Sequence, residues 1–277
     1  MPDLILYFST AAAWLLLSGL ALRGSRPALA TGGAAPRVDT RVELVLVPVA
    51  LVLHATLLYR SVLAPEGLDL NVANAVSMLV WLTVLIYWLA SLAFDGLSGM
   101  LGMMAPVAFV AAGLPALMPL HHIVNYGGDP LFVLHFGVAM LAYSLFIVAT
   151  VHALVMLAEE KWLHRGVLPP FLRTLPPLLV MEALLFRILL AAFVLLTLTV
   201  LSGVFFSEQL FHKPFEFNHK TVFAIVSWLI FGGLLAGRQL RGWRGRTAVY
   251  WTLAGFTALM LAYVGSKAVL ELVLKRG

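Results

Sequence analysis

Apolar runs long enough to cross a bilayer recur along the whole of this 277-residue chain, and nothing else narrows its possible folds so far. A hydrocarbon core of about 30 Å takes about 20 helical residues to span, and a helix satisfies its own backbone hydrogen bonds there. Eight such spans can be read, at 3–22, 43–61, 75–93, 101–119, 131–157, 179–205, 221–237 and 248–273. The expected fold class is all-α: a polytopic membrane bundle of about eight transmembrane helices, built as a single integral membrane domain over 1–277. The first run starts Pro2-Asp3 without a basic leader, so it reads as a span and not as a cleaved signal.

Composition agrees. Hydrophobic residues make up 62% of the chain and charged residues 11%. The mean hydropathy of +0.98 is that of a membrane protein. The lipid bilayer is therefore the first expected partner. There is no cysteine, which excludes disulfides, iron–sulfur clusters, thiolate metal sites and a cysteine nucleophile. The net charge of +5 does not indicate nucleic acid, because the basic residues lie in short loops between spans. Arg23, Arg26, Arg37 and Arg41 follow the first span, Lys161, Arg165 and Arg173 the fifth, and Arg238, Arg241, Arg244 and Arg246 the seventh. These loops belong on the cytoplasmic side, which turns both termini outward; Lys275 and Arg276 run against that assignment. The outer loops 62–74 and 206–218 are expected to be mobile, and Gly166 to Pro177 to lie on the cytoplasmic interface. Gly102, Gly113, Gly137, Gly203, Gly232 and Gly255 would let helices approach closely. No HExxH, GxSxG, phosphate-binding loop or carboxylate pair occurs, so no hydrolase or ATPase is expected, and a non-enzymatic role fits better than an enzymatic one.

Two histidines stand out because they lie inside spans. His54 is near the middle of the second and His135 a turn or so into the fifth, whose start Pro130 marks. An ionisable side chain inside the membrane is a functional-site hypothesis, and imidazole is a common ligand for a metal or haem iron. A hydrogen bond tying two helices together is the competing reading for each. His219, where the outer loop meets the seventh span, and its neighbour His212 could reach over a cofactor on the outer face. His121, His122 and His164 read as interfacial, and His152 as structural. Glu182 and Arg187, near the start of the sixth span, read as an architectural pair or as partners of a neighbouring helix.

The run Glu182-Ala-Leu-Leu-Phe-Arg187, then Leu195 to Thr199 and Ser202-Gly203, resembles a segment of the cytochrome c assembly superfamily of membrane haem-handling proteins. Gly242-Trp243-Arg-Gly245-Arg-Thr-Ala248 matches that family's Gly-Trp-x-Gly-x-x-Ala loop, and Asn74, Ser77 and Trp81 are similar to its Ser-Asn…Glu-Ser…Trp helix start. The His54 stretch resembles the helix carrying the family's membrane-embedded haem ligand, and the His135 stretch the helix carrying its first outer haem ligand. The family's tryptophan-rich motif is absent, its place taken by Ser207 to Lys220. The partner ligands would fall near Ala236 and Leu274, which cannot ligate. This pattern resembles the smaller inner-membrane, HemX-like branch of the family.

The resemblance implies a haem-binding protein of the bacterial inner membrane, related to cytochrome c biogenesis. Haem is the cofactor it implies, with His135 as first axial ligand and His54 or His219 as second. Trp81 and Tyr143, with Tyr59, Phe136 and Phe217, are candidates to pack on the porphyrin, although ordinary packing is the commoner role of such side chains. The alternative is a non-enzymatic subunit of another membrane protein, either a cytochrome c assembly factor or a CorC-type divalent-cation exporter. A transporter is the weakest reading, because the spans carry almost no carboxylates.

Overall fold

The computed structural model describes residues 2–24, 40–64, 67–93, 98–118, 121–124, 129–166, 177–205, 207 and 219–262. Among them are eight long helices: α1 Pro2–Gly24, α2 Thr40–Val62, α3 Val72–Ala93, α4 Ser98–Leu117, α5 Pro130–His164, α6 Leu178–Phe205, α7 His219–Arg241 and α8 Arg246–Met260. Six of these, α1, α2, α3, α5, α6 and α7, are long and apolar enough to cross a membrane. The apolar part of α4, Met103–Leu117, and the 15 described residues of α8 are shorter. Expected and observed helices correspond one to one, and the chain is a polytopic, essentially all-α membrane bundle. α5, at 35 residues, is the longest. Its start is set by Pro130 at the first turn and by Asp129, whose carboxylate accepts from the Leu131 N–H at 2.8 Å.

α3 and α5 form the spine. α3 packs against α2, α4 and α5, while α5 packs against α6, α8 and α3. α1 sits at the edge against α4 and α2, and α7 lies between α6 and α8. Leucines, valines and isoleucines cover the outside of the bundle, as at Leu4, Ile5, Val45, Leu190 and Leu229, because lipid is as apolar as they are. The buried centre is aromatic and tightly fitted. Phe146 on α5 stacks on Phe231 of α7 with ring centroids 4.0 Å apart, and a Cβ at Gly255 on α8 would come within 2.8 Å of the Phe231 ring.

Close approach at glycine is thus seen at Gly255 and, less tightly, at Gly232 against Phe193. Gly113 and Gly137 face open space instead, so helical spacing alone misplaced them. The tightest contact is at Gly237, where any Cβ would run into the Trp243 ring.

The two ends of the bundle differ. At one end, three short strands form an antiparallel sheet: β1 Leu63–Ala64, β2 Gly67–Asp69 and β3 Ile123–Val124. The sheet takes up part of the outer loop 62–74, which the apolar runs alone did not reveal. Asp69 explains the order. Its Oδ1 accepts from the His122 N–H (2.8 Å) and the Asn71 amide (3.1 Å), and its Oδ2 pairs with His121 Nδ1 (2.8 Å). Asn74 then donates to Asp69 O and Ser61 O, tying the start of α3 to the end of α2. Burial disfavours ionisation of Asp69, but its hydrogen bonds to His122, His121 and Asn71 outweigh that and hold its carboxyl below the ordinary range. The loop 206–218 lies outside the described residues apart from Ser207, and Gly166 to Pro177 is described only at its ends.

The other end carries the arginines. Glu182 on α6 accepts from Arg238 on α7 (2.9 Å) and from the Gly245 N–H at the start of α8 (3.1 Å), and Arg244 lies 3.5 Å away. The partner of Glu182 is thus the next helix and loop, not Arg187. Gly242 and Gly245 hold positive φ, +65° and +56°, which gives the loop the sharp turn that brings Trp243 onto Gly237.

Candidate functional site

His54 sits in the wall between α1, α2 and α3, 0% exposed. Its Nε2 is hydrogen bonded to Ser77 Oγ on α3 at 2.9 Å. Trp14 of α1, 1% exposed, meets the imidazole edge-on with ring centroids 6.0 Å apart. One turn along α3 from Ser77, the Trp81 indole donates to Leu51 O on α2 at 2.9 Å, so α2 and α3 are tied twice within a turn. His54 Nδ1 and Trp14 Nε1 are both buried and carry no hydrogen bond. Such atoms are costly to leave in an apolar interior and are where an added ligand or water gains most.

His135 lies on α5 toward the sheet end, half-buried. Its Nδ1 is hydrogen bonded to Ser202 Oγ on α6 at 2.7 Å, and Ser202 in turn donates to Thr199 O. Gly203 faces the ring, since a Cβ there would lie 3.6 Å from His135 Cε1. The Ser202-Gly203 pair therefore supplies a hydroxyl and a thin wall to one imidazole.

The two histidines thus share a chemistry, a ring nitrogen fixed by a serine from a neighbouring helix, but they turn to different neighbours. His54 looks to α3 and α1, His135 to α6, and α3 stands between their helices. His219 opens α7 at the sheet end and is exposed. Tyr143 sends its hydroxyl to Leu259 O at 2.9 Å and so joins α5 to α8. Phe136 stacks on Phe132, and Tyr59 faces outward. His152 hydrogen bonds Met181 O, a helix-to-helix tie as its position suggested. His212 and Phe217 lie outside the described residues. Among the described residues, no three His, Asp or Glu side chains gather as a metal-binding group.

Sequence reasoning named Ser77 and Ser202 only as parts of motifs and did not name Trp14 at all. Mid-helix serines usually bond their own backbone, as Ser144 does with Met140 O and Ser202 with Thr199 O, so nothing local marks the two that also meet a histidine.

The family model described as "Cytochrome C assembly protein" matches residues 44–274. The Inner membrane protein YpjD of Escherichia coli (strain K12) is 32% identical over 245 residues, which is 84% of this chain and 88% of that protein. An Azospirillum brasilense protein described as an "Uncharacterized 28.8 kDa protein in nifR3-like 5'region" is 26% identical over 211 residues, 73% of this chain and 77% of the relative. The Cytochrome c biogenesis protein CcsA of Prochlorococcus marinus (strain NATL1A) is 28% identical over 85 residues, 31% of this chain and 27% of CcsA. No solved structure matches the chain.

Proposed function

The chain belongs to the cytochrome c assembly protein family, and from that premise we propose that it handles haem in a bacterial inner membrane in the service of cytochrome c biogenesis. The observation that carries the reading is the pair of histidines in apolar helices, each oriented by a serine of a neighbouring helix. The names of the relatives bear on compartment and process. A protein matched over most of its length is an inner membrane protein, and one matched over a shorter stretch is a cytochrome c biogenesis protein. In this reading the arginine end faces the cytoplasm and both termini face outward.

The residues present fit the group. Burying an imidazole completely in a membrane bundle is expensive, and His54 keeps one ring nitrogen without a partner there. His135 has its Nδ1 held by a hydroxyl, the arrangement that sets the ring plane and tautomer of a ligating imidazole. His54 and His135 are each proposed as an iron ligand, singly and not as a pair on one iron because they turn to different helices, and His219, at the sheet end, as a further candidate from the outer side. Trp81 and Tyr143 position the helices that carry the ligands, through Leu51 O and Leu259 O. Haem, when bound, would supply the iron centre and be the group passed on to an apocytochrome. The chain's part is to orient imidazoles, keep water from them and keep the site within the bilayer.

The test is an absorption spectrum of the detergent-purified protein, oxidised and then reduced, with a pyridine haemochrome assay. A Soret band with sharp reduced α and β bands, diminished in His54→Ala and in His135→Ala, is the expected result. A protein that stays colourless after haem is added, or haem content unchanged in the double variant, would overturn the reading.

A further inference from the structure

Lys220, the second residue of α7, is half-buried and carries an ammonium at the edge of an apolar bundle. Among the described residues it makes no hydrogen bond or ion pair. The described carboxylates at that end are already engaged, Asp69 by His121, His122 and Asn71, and Asp129 by the Leu131 N–H. An ammonium that has lost part of its water without meeting a counter-charge is where an incoming anion gains most.

Helical register sets what this lysine faces. α5 and α7 both run from the sheet end toward the arginine end, and Phe146 of α5 stacks on Phe231 of α7. His135 and Lys220 each precede those rings by 11 residues. That is close to three full turns, so each side chain leaves its helix on the same side as the ring below it, about 16 Å nearer the sheet end. Exposure agrees: Ser227 and Phe231, in line with Lys220, are buried, whereas Val222, Val226 and Leu229 are exposed. The register of α6 on α7 agrees as well. Trp228 donates to Thr197 Oγ1 at 2.9 Å, which brings Lys220 to within about a turn of the level of Ser202 and Gly203, the two residues that meet the His135 ring. An imidazole held by a hydroxyl, a glycine wall and an ammonium without a counter-charge thus share one level of the bundle.

We propose that Lys220 is the anion anchor of the His135 site: it pairs with a carboxylate of the group that His135 ligates. The identity of that group rests on the haem reading, since haem carries two carboxylates on one edge, while the anchor itself rests on the placement of Lys220. The ligand class is a flat macrocycle bearing carboxylates, whose metal the imidazole takes and whose acidic edge the ammonium holds.

The first measurement leaves iron out. The full chain in phosphatidylcholine nanodiscs is titrated with metal-free protoporphyrin and with its dimethyl ester, which keeps the ring and lacks the charges. Binding is read from porphyrin fluorescence against empty nanodiscs. Wild type and Lys220→Arg should bind the diacid about ten-fold tighter than the ester, and Lys220→Met should bind the two alike. Its ester affinity should match that of the wild type, which shows that the variant is folded. A preference for the diacid that survives in Lys220→Met would overturn the anchor. So would the absence of any preference in the wild type, the result expected if the ammonium meets only lipid phosphate, or a joint loss of diacid and ester binding in Lys220→Met. Haem is then added to the same proteins. A Soret shift that is lost in His135→Ala, with haem uptake about ten-fold weaker in Lys220→Met, joins the anchor to the haem site. A preference for the diacid that depends on Lys220, with no Soret change on adding haem, keeps the anchor and removes iron ligation at His135.

Discussion

His54 and His135 each share a hydrogen bond with a serine of a neighbouring helix, His54 through Nε2 and His135 through Nδ1, yet they stand in different surroundings. His54 is sealed between three helices with an indole against its edge, whereas His135 is half-buried toward the sheet end beside a glycine. The difference shows that the Ser–His bond orients a ring in either place, but the cost of losing it depends on what water or lipid could replace it. The His54 ring is fully enclosed by packed side chains; the His135 ring is part exposed.

That contrast can be broken by substitution. His54→Ala should cost the fold most, about 2–4 kcal/mol, because it opens a cavity in a packed wall and strands the Ser77 hydroxyl. His135→Ala should cost about 1 kcal/mol or less, since the site is part-open. Thermal unfolding in detergent, read by loss of helical circular dichroism, compares them; equal costs would erase the distinction. Next in size is Ser77→Ala, at about 1–3 kcal/mol, against about 0.5–1.5 for Ser202→Ala, because only the first leaves both nitrogens of a fully buried ring unsatisfied.

Glu182→Gln sharpens the comparison from the far end. It weakens the Arg238 pair and the cap on α8, and should destabilise by about 1–2 kcal/mol while leaving haem content per folded protein unchanged. A selective loss of haem in that variant would mean that the arginine end takes part in the site.

The smallest effect expected is a pH dependence at the sheet end. The folded-state pKa of Asp69 lies below its unfolded value of about 4, so its contribution is fully present above that pH and is lost as pH falls through the lowered folded value. Between pH of about 6 and about 3, the wild type should lose more thermal stability than Asp69→Asn. Parallel curves would show that Asp69 does not hold the sheet.

Much of this was legible in the residues. The eight apolar runs found their helices, and Pro130 marked the start of α5 as expected. The histidines inside the spans were legible too, since a polar residue in a long apolar run is conspicuous. The sheet was not, because strands of two or three residues are too short to show alternation. Nor was Trp14, which reads as one more apolar residue of a lipid-facing helix until the neighbour it meets is known. Tyr143 was legible as an aromatic in the right helix but not as a tie to α8, 116 residues further along the chain.

The sequence by itself determined that the chain is helical and membrane-embedded, because lipid offers no partner to a backbone amide and only a segment that satisfies itself can cross. It also marked the histidines inside the spans as candidates for chemistry. The tertiary structure decided which side chains meet. Ser77 and His54 are 23 residues apart, Ser202 and His135 67, and Arg238 and Glu182 56. A helix fixes its own hydrogen bonds from i to i+4, but its rotation and depth against its neighbours follow from packing over whole faces. Whether a histidine is sealed by a tryptophan or left at the edge of the bundle is settled there.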